Sequence, residues 1–77
     1  MIIDAVVVEE NVMESGICIV VHEVGTSYIK VRGASPVSRD HVISGQLNAT
    51  GNQRLYNKTL SSYFDASVLM IRRHEEA

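Results

Sequence analysis

The sequence predicts an α+β fold in which a small, mainly antiparallel sheet of four or five strands is packed by one principal amphipathic helix. Three observations predict it. One segment has helical periodicity, one alternates as a half-buried strand does, and three short runs are apolar at consecutive positions. The expected order of elements is β-β-β-(β or short α)-α-β.

The helical periodicity lies between Gln53 and Phe64. At about 100° per residue, one half of the helical wheel is apolar and the other half is polar. The apolar half holds Leu55, Tyr56, Thr59, Leu60, Tyr63 and Phe64. Such a helix is expected to cover one face of the sheet and to bury Leu60 there.

The strands are predicted from β-branched runs and from alternation. Between Ser27 and Arg32, the side chains of Tyr28, Lys30 and Arg32 alternate with apolar ones, which predicts a half-buried strand at or near an edge. The other predicted strands run from Ile2 to Val8, from Ile17 to Val21 and from Val68 to Ile71.

Residues 36–44 have two interpretations. Ser35 followed by Pro36 is typical of a helix start, with the serine as N-cap and the proline at the first helical position. The apolar residues that follow are scattered around the helical wheel, which favours a single turn and then a short strand from His41 to Ser44.

The consecutive apolar runs require burial on both faces of their strands. One helix covers one face, so the other face is expected to meet a second element, to curl into a small barrel or to pack on another subunit. We expect a homodimer that forms through the strands bearing Val6, Val7, Ile19, Val20, Leu69 and Met70.

The length of 77 residues predicts one domain, 1–77, with residues 74–77 as a frayed tail. A domain of this size buries only about 60% of the surface of its unfolded chain, so an additional source of stability is expected. Cys18 is the single cysteine, which excludes an internal disulfide. On a regular strand Cys18 and His22 lie about 13 Å apart, too far to share an ion, so we expect no metal and no cofactor.

The composition also bears on location. No Lys or Arg precedes Lys30, and Asp4 interrupts the first apolar run, so the pattern of a secretory signal is missing. No apolar run approaches the ~20 residues that a membrane span needs. We therefore expect a cytoplasmic protein that has no membrane partner.

Catalytic patterns are weak. Asp40 and His41 lie among several serines, but neighbouring residues on a strand point to opposite faces, and no nucleophile elbow is present. We expect no catalytic residues and no enzymatic activity.

The best candidate binding residues are Tyr28, Lys30 and Arg32, which the strand period places in a row on one face. An aromatic ring beside two cations is typical of sheets that bind single-stranded nucleic acid. The alternative is a solvated edge strand whose charges prevent aggregation. Arg54 and Lys58, four residues apart on the polar face of the predicted helix, extend the same basic surface or are simply solvated.

The net charge is −2, with acidic residues concentrated before Lys30 and basic residues after it. Surplus apolar strand surface and oppositely charged halves favour a non-enzymatic protein-binding module, of the accessory or inhibitor kind, that self-associates. The alternative is a small nucleic-acid-binding module that uses the Tyr, Lys and Arg face.

Overall fold

The computed structural model describes residues 2–12, 16–32 and 37–73. These residues form six β-strands, and none of them is helical. In chain order the strands are β1 (Ile3–Val12), β2 (Ile17–Val21), β3 (Gly25–Val31), β4 (Val42–Gly45), β5 (Gly51–Asn57) and β6 (Ser62–Arg73).

The strands form an antiparallel sheet that closes into a barrel. Their order is β1-β2-β3-β6-β5-β4, and β4 pairs back onto β1. Three consecutive strands followed by a fourth that returns to lie beside the first is the Greek-key arrangement. The barrel closes where β3 pairs with β6 along its whole length, from Gly25 with Arg73 to Val31 with Ala66.

The barrel interior is filled by alternate side chains of the strands. Because successive side chains on a strand point to opposite faces, one set points inward and the other outward. The largest fully buried apolar side chains are those of Ile29, Ile43, Leu47, Leu55, Val7, Val20 and Val68. The core is completed by the smaller or less deeply buried Ala5, Cys18, Phe64 and Ala66.

The predicted helix is wrong, and with it the α+β fold class. The segment from Gln53 to Phe64 is a β-hairpin in which β5 and β6 pair around the turn at residues 58–61. Leu55 and Phe64 are buried as expected, but Leu60 is 42% exposed in the turn and Tyr63 is 63% exposed on the outside of the barrel.

The error has a physical cause. The two residues in the middle of the predicted apolar arc are Thr59 and Leu60, which form the tip of the turn. On either side of that tip, Leu55 pairs with Phe64 and Tyr56 with Tyr63, so residues from two strands filled one arc of the wheel. Periodicity reports local spacing and contains no information on pairing partners, which here decide the structure.

Other predictions have mixed outcomes. The strand at Ile17 to Val21 is confirmed, as is the short strand near His41 to Ser44, which is β4. The predicted edge position of β3 is wrong, because β3 pairs with β2 on one side and β6 on the other. Of the predicted ways to cover a second sheet face, closure into a small barrel is observed. The helix start at Ser35 and Pro36 and the frayed tail at residues 74–77 lie outside the described residues.

Gly25 stands where β3 meets the end of β6. A Cβ atom at this position would meet the carbonyl oxygen of Arg72 and the Cα of Arg73. Both are backbone atoms, so a side chain could be accommodated only by separating the two strands. The residue type at position 25 is therefore a condition for the closure of the barrel.

Replacement of Leu55 by Ala should lower the free energy of unfolding by about 2–5 kcal/mol, because this side chain is fully buried and leaves a cavity. The matched change Leu60→Ala should alter it by no more than about 0.5 kcal/mol, because Leu60 lies in an exposed turn. Urea denaturation of both variants measures the difference. Equal losses would contradict the hairpin and favour the helix.

Candidate functional site

A chain of buried polar groups links the β2–β3 turn to the segment after β4. His22 is 5% exposed and Ser27 is fully buried. The His22 Nε2 atom lies 2.7 Å from the Ser27 Oγ, which donates to the Leu47 carbonyl oxygen at 2.6 Å. The Gly25 amide donates to His22 Nδ1 at 3.2 Å. Since Nδ1 accepts, Nε2 carries the ring proton and donates to Ser27.

This pair has the spacing of a serine nucleophile and its base, but the hydrogen bonds run in the opposite direction. A general base accepts the serine proton, whereas His22 donates to Ser27 and the serine proton goes to a carbonyl oxygen. We assign the pair to stability. The sequence did not lead us to this pair. The feature that could have identified it is the inward position of Ser27, two residues before the buried Ile29.

A second polar cluster lies at the turn end of β5. His41 Nδ1 accepts from the Ser38 amide at 3.2 Å and from Asn57 Nδ2 at 3.1 Å. The buried Asn57 also accepts the Leu60 amide on its Oδ1 at 3.0 Å. The Asp40-His41 pair considered for catalysis thus has structural contacts. His41 belongs to this cluster. Asp40 has a positive φ of 73°, and its amide donates to the Val7 carbonyl oxygen on β1.

Of the predicted binding residues, Tyr28, Lys30 and Arg32 all lie on the outside of the barrel. Lys30 and Arg32 are exposed, and Tyr28 is half-buried. Tyr28 pairs with Ile19 on β2 and with Met70 on β6, so its neighbours across the strands are apolar. The row therefore has an apolar part at Tyr28 and a basic part at the other two residues.

Arg54 lies on β5 and takes part in an aromatic group. Its guanidinium carbon is 5.0 Å from the centroid of the Tyr63 ring. The Tyr63 centroid is in turn 4.8 Å from that of Tyr56, with the rings inclined at 58°. We call these three residues the tyrosine–arginine cluster. A cation over an aromatic face is a favourable contact, and it leaves the exposed side of Tyr63 available.

The barrel brings Arg54 onto the same outer surface as Arg32. Strand β6 runs between their strands, which places the two strands about 10 Å apart. Asp65 of β6 pairs with Arg54, and its carbonyl oxygen accepts the Arg32 amide at 2.9 Å. The two arginines thus flank one carboxylate, which reduces the positive charge of this surface.

Lys58 does not join this group. Its Nζ reaches across β4 to the Asp4 Oδ2 on β1, at 3.0 Å. The hydrogen bond from Lys58 and a second from Ser44 hold the pKa of the Asp4 carboxyl below its ordinary value of 3.8. The five predicted residues therefore occupy three separate places: the apolar neighbourhood of Tyr28, the basic surface around Asp65 and the ion pair with Asp4.

The outer surface also carries exposed apolar side chains. Of the six residues expected to form an interface, Val7 and Val20 point into the core, while Val6, Leu69 and Met70 are 43–47% exposed. Val21 and the half-buried Ile19 and Tyr28 adjoin them. We define the apolar belt as Val6, Ile19, Val21, Tyr28, Leu69 and Met70, which lie on the adjacent strands β1, β2, β3 and β6.

An irregularity in β6 enlarges the belt. Tyr28 pairs with Met70 and Ile29 with Val68, which leaves Leu69 as an extra residue between the two pairs. A bulge of this kind leaves one residue unpaired and re-aims its side chain. Leu69 and Met70, although consecutive, are both 47% exposed.

Charge is divided between the two sides of the belt. Strand β1 carries the exposed acids Asp4, Glu9 and Glu10. The basic residues lie mainly on or beside β3, β5 and β6, where Asp65 is their acidic neighbour: Lys30, Arg32, Arg54, Arg72 and Arg73. The acidic and basic halves of the sequence thus become different strands of the barrel.

Comparison with known protein families, curated proteins and solved structures finds no match to this chain. Its surface chemistry is therefore the guide to its function. Across residues 2–12, 16–32 and 37–73, no helix is long and apolar enough to cross a membrane. The same residues contain no group of three His, Cys, Asp or Glu side chains that could hold a metal ion.

Replacement of Ser27 by Ala should remove the hydrogen bonds that Ser27 Oγ makes with His22 Nε2 and with the Leu47 carbonyl oxygen. Each buried group left without a partner costs about 1–3 kcal/mol of unfolding free energy. The control is Ser62→Ala at an exposed position, which should leave stability almost unchanged. Chemical denaturation of the two variants provides the comparison, and a Ser27→Ala protein as stable as the control would show that the chain of polar groups contributes nothing.

The pKa of Asp4 should rise towards 3.8 when Lys58 is replaced by Met, because the principal hydrogen bond that lowers it is lost. In the folded wild type the stabilisation from Asp4 is present above 3.8 and disappears as the pH falls through its lowered pKa. A carboxyl-carbon NMR titration measures the shift. Lys30→Met is the control, and an unchanged Asp4 pKa in Lys58→Met would refute the assignment.

Proposed function

We propose that this chain is a non-enzymatic protein-binding module of the small accessory or inhibitor kind, which acts in the cytoplasm and self-associates through the apolar belt. The cytoplasmic location is consistent with a single cysteine, Cys18, that is buried in the apolar core. Chains that cannot form an internal disulfide are typical of reducing compartments.

The observation that carries the proposal is the position of the apolar belt outside a core that is already complete. Val7, Val20 and Ile29 fill the interior without any exposed surface. The outward side chains of Val6, Leu69 and Met70 are therefore not needed for the core, and they remain 43–47% exposed. Apolar area removed from water contributes roughly 25 cal/mol per Å², so a partner that covers these side chains gains stability from them.

The character of the belt favours protein over nucleic acid. Aliphatic side chains complement the apolar surface of another protein, and methionine adapts to irregular partners. Nucleic-acid surfaces instead present phosphates that require concentrated positive charge. This chain has a net charge of −2, and Asp65 lies between the two arginines of its basic surface.

One observation favours the second candidate, a nucleic-acid-binding module. Tyr63 is 63% exposed and has a guanidinium over its ring at 5.0 Å. An exposed aromatic ring next to cations is a stacking platform for single-stranded bases, each worth about 1–3 kcal/mol. In this alternative Lys30, Arg32 and Arg54 contact phosphates while Tyr63 stacks on a base.

The two candidates respond differently to mutation and to nuclease. The tagged chain is used to capture partners from a native lysate, with and without nuclease treatment. Capture of protein should survive nuclease and should be lost in the belt variant Leu69→Ser with Met70→Ser. It should persist in the matched surface variant Arg54→Ser with Tyr63→Ser. Circular dichroism and thermal melts establish that both variants fold.

The opposite pattern would overturn the proposal. Capture that disappears with nuclease, or that is lost only in the Arg54 and Tyr63 variant, would establish the nucleic-acid alternative. Its binding should then weaken steeply as salt is raised. Capture of neither protein nor nucleic acid, together with a monomer in solution, would exclude both candidates.

A further inference from the structure

We infer that the apolar belt is a two-fold interface between two copies of this chain, in which β1 of each copy lies against β6 of the other. The inference rests on the proposed function, because it takes the belt to bind protein. It adds the identity of the partner and the direction in which the two barrels pair.

The belt has an acidic and a basic border. One row of register partners runs across it, from Glu9 on β1 through Ile19 and Tyr28 to Met70 on β6. Glu10 adjoins the acidic end and is exposed. Towards β6, Lys30 and Arg72 lie on opposite sides of this row, because Lys30 pairs with Ser67 and Arg72 pairs with Thr26. Both are exposed.

This row lies on one side of the barrel. Strands in a barrel are tilted by about 35–45° to its axis, so a row perpendicular to the strands runs obliquely and turns through less than half of the circumference. Both charged borders are therefore accessible to the same partner surface. A partner with a basic border, an apolar centre and an acidic border would match the belt. A second copy of the chain has these three features in the required order.

Symmetry allows two simple ways to pair the belts. A two-fold axis parallel to the strands, between β2 and β3, exchanges β1 with β6 and β2 with β3. Glu9 of one copy then faces Met70 of the other, one row from Arg72, and Ile19 faces Tyr28. An axis perpendicular to the strands instead places β1 on β1 and β6 on β6, so that like charges meet.

Charge complementarity selects the first arrangement. Opposite charges at the rim of an interface favour association, and like charges placed together oppose it. In the parallel-axis dimer, the acids of β1 in each copy lie one row from Arg72 and one strand from Lys30 of the other copy. A standard interface takes about 800 Å² from each partner, which is about a sixth of the 4919 Å² surface of the chain.

The test uses two charge reversals that complement each other. The acid-reversed variant is Glu9→Lys with Glu10→Lys, and the base-reversed variant is Lys30→Glu with Arg72→Glu. Each variant alone should self-associate at least about tenfold more weakly than the wild type, because each homodimer places like charges at both borders. An equimolar mixture should recover association, since both borders then pair opposite charges.

A matched control separates these contacts from the effect of net charge. The variant Arg39→Glu with Arg54→Glu has the same net charge as the base-reversed variant, but its changes lie outside the belt. It should self-associate as the wild type does, and it should not restore association when it is mixed with the acid-reversed variant. Sedimentation velocity over a concentration series, at low and at physiological salt, measures all of these states.

The outcomes are distinct. A dimer that is weakened by each reversal and restored by the mixture supports the inference. A dimer that neither reversal weakens, or assembly that continues beyond two copies, overturns the pairing of β1 with β6. A chain that is monomeric at every concentration overturns the inference entirely. If the lysate experiment still captures another protein through Leu69 and Met70, the proposed function survives that failure, and if it captures none, both fail together.

Discussion

The structure depends on the pairing of β3 with β6. These strands lie far apart in the sequence, and their ladder, together with that of β1 and β4, joins two groups of three strands into a closed barrel. Without it, the inward side chains of Ile29 and Val68 would stand at sheet edges rather than in a common core. The pairing in turn requires a residue without a side chain at Gly25, where the backbone of β6 leaves no room for a Cβ atom. The core and the outer surface therefore depend on this contact between distant segments.

The parts of the fold that could be predicted are those that depend on local sequence alone. The β-branched run at Ile17 to Val21 identifies a strand because few other structures suit it, and the alternation around Ile29 correctly separates its inward and outward neighbours. The hairpin of β5 and β6 could not be separated from a helix in the same way. Its paired residues Tyr56 and Tyr63 are seven apart, a spacing that also places two side chains on the same face of a helix.

The residues that make up the outer surface could be predicted from the sequence, but their arrangement could not. The strand period placed Tyr28, Lys30 and Arg32 outward, as they are observed. The neighbours of each residue depend on strand order, which brings Met70 beside Tyr28 and separates Lys58 from the other cations. The extra residue in β6 is a further obstacle, because a bulge changes the face of every later residue on its strand and leaves no local signal here.

The closed barrel also determines how the protein can change over evolutionary time. Each of the six described strands pairs with a neighbour on both sides over at least part of its length, which leaves little backbone edge for the addition of a foreign strand. Contact with other molecules must be encoded in outward side chains, which contribute little to the stability of the barrel itself. Partner choice and folding are therefore governed by different residues, and substitutions at positions such as Leu69 can redirect binding while the core remains intact.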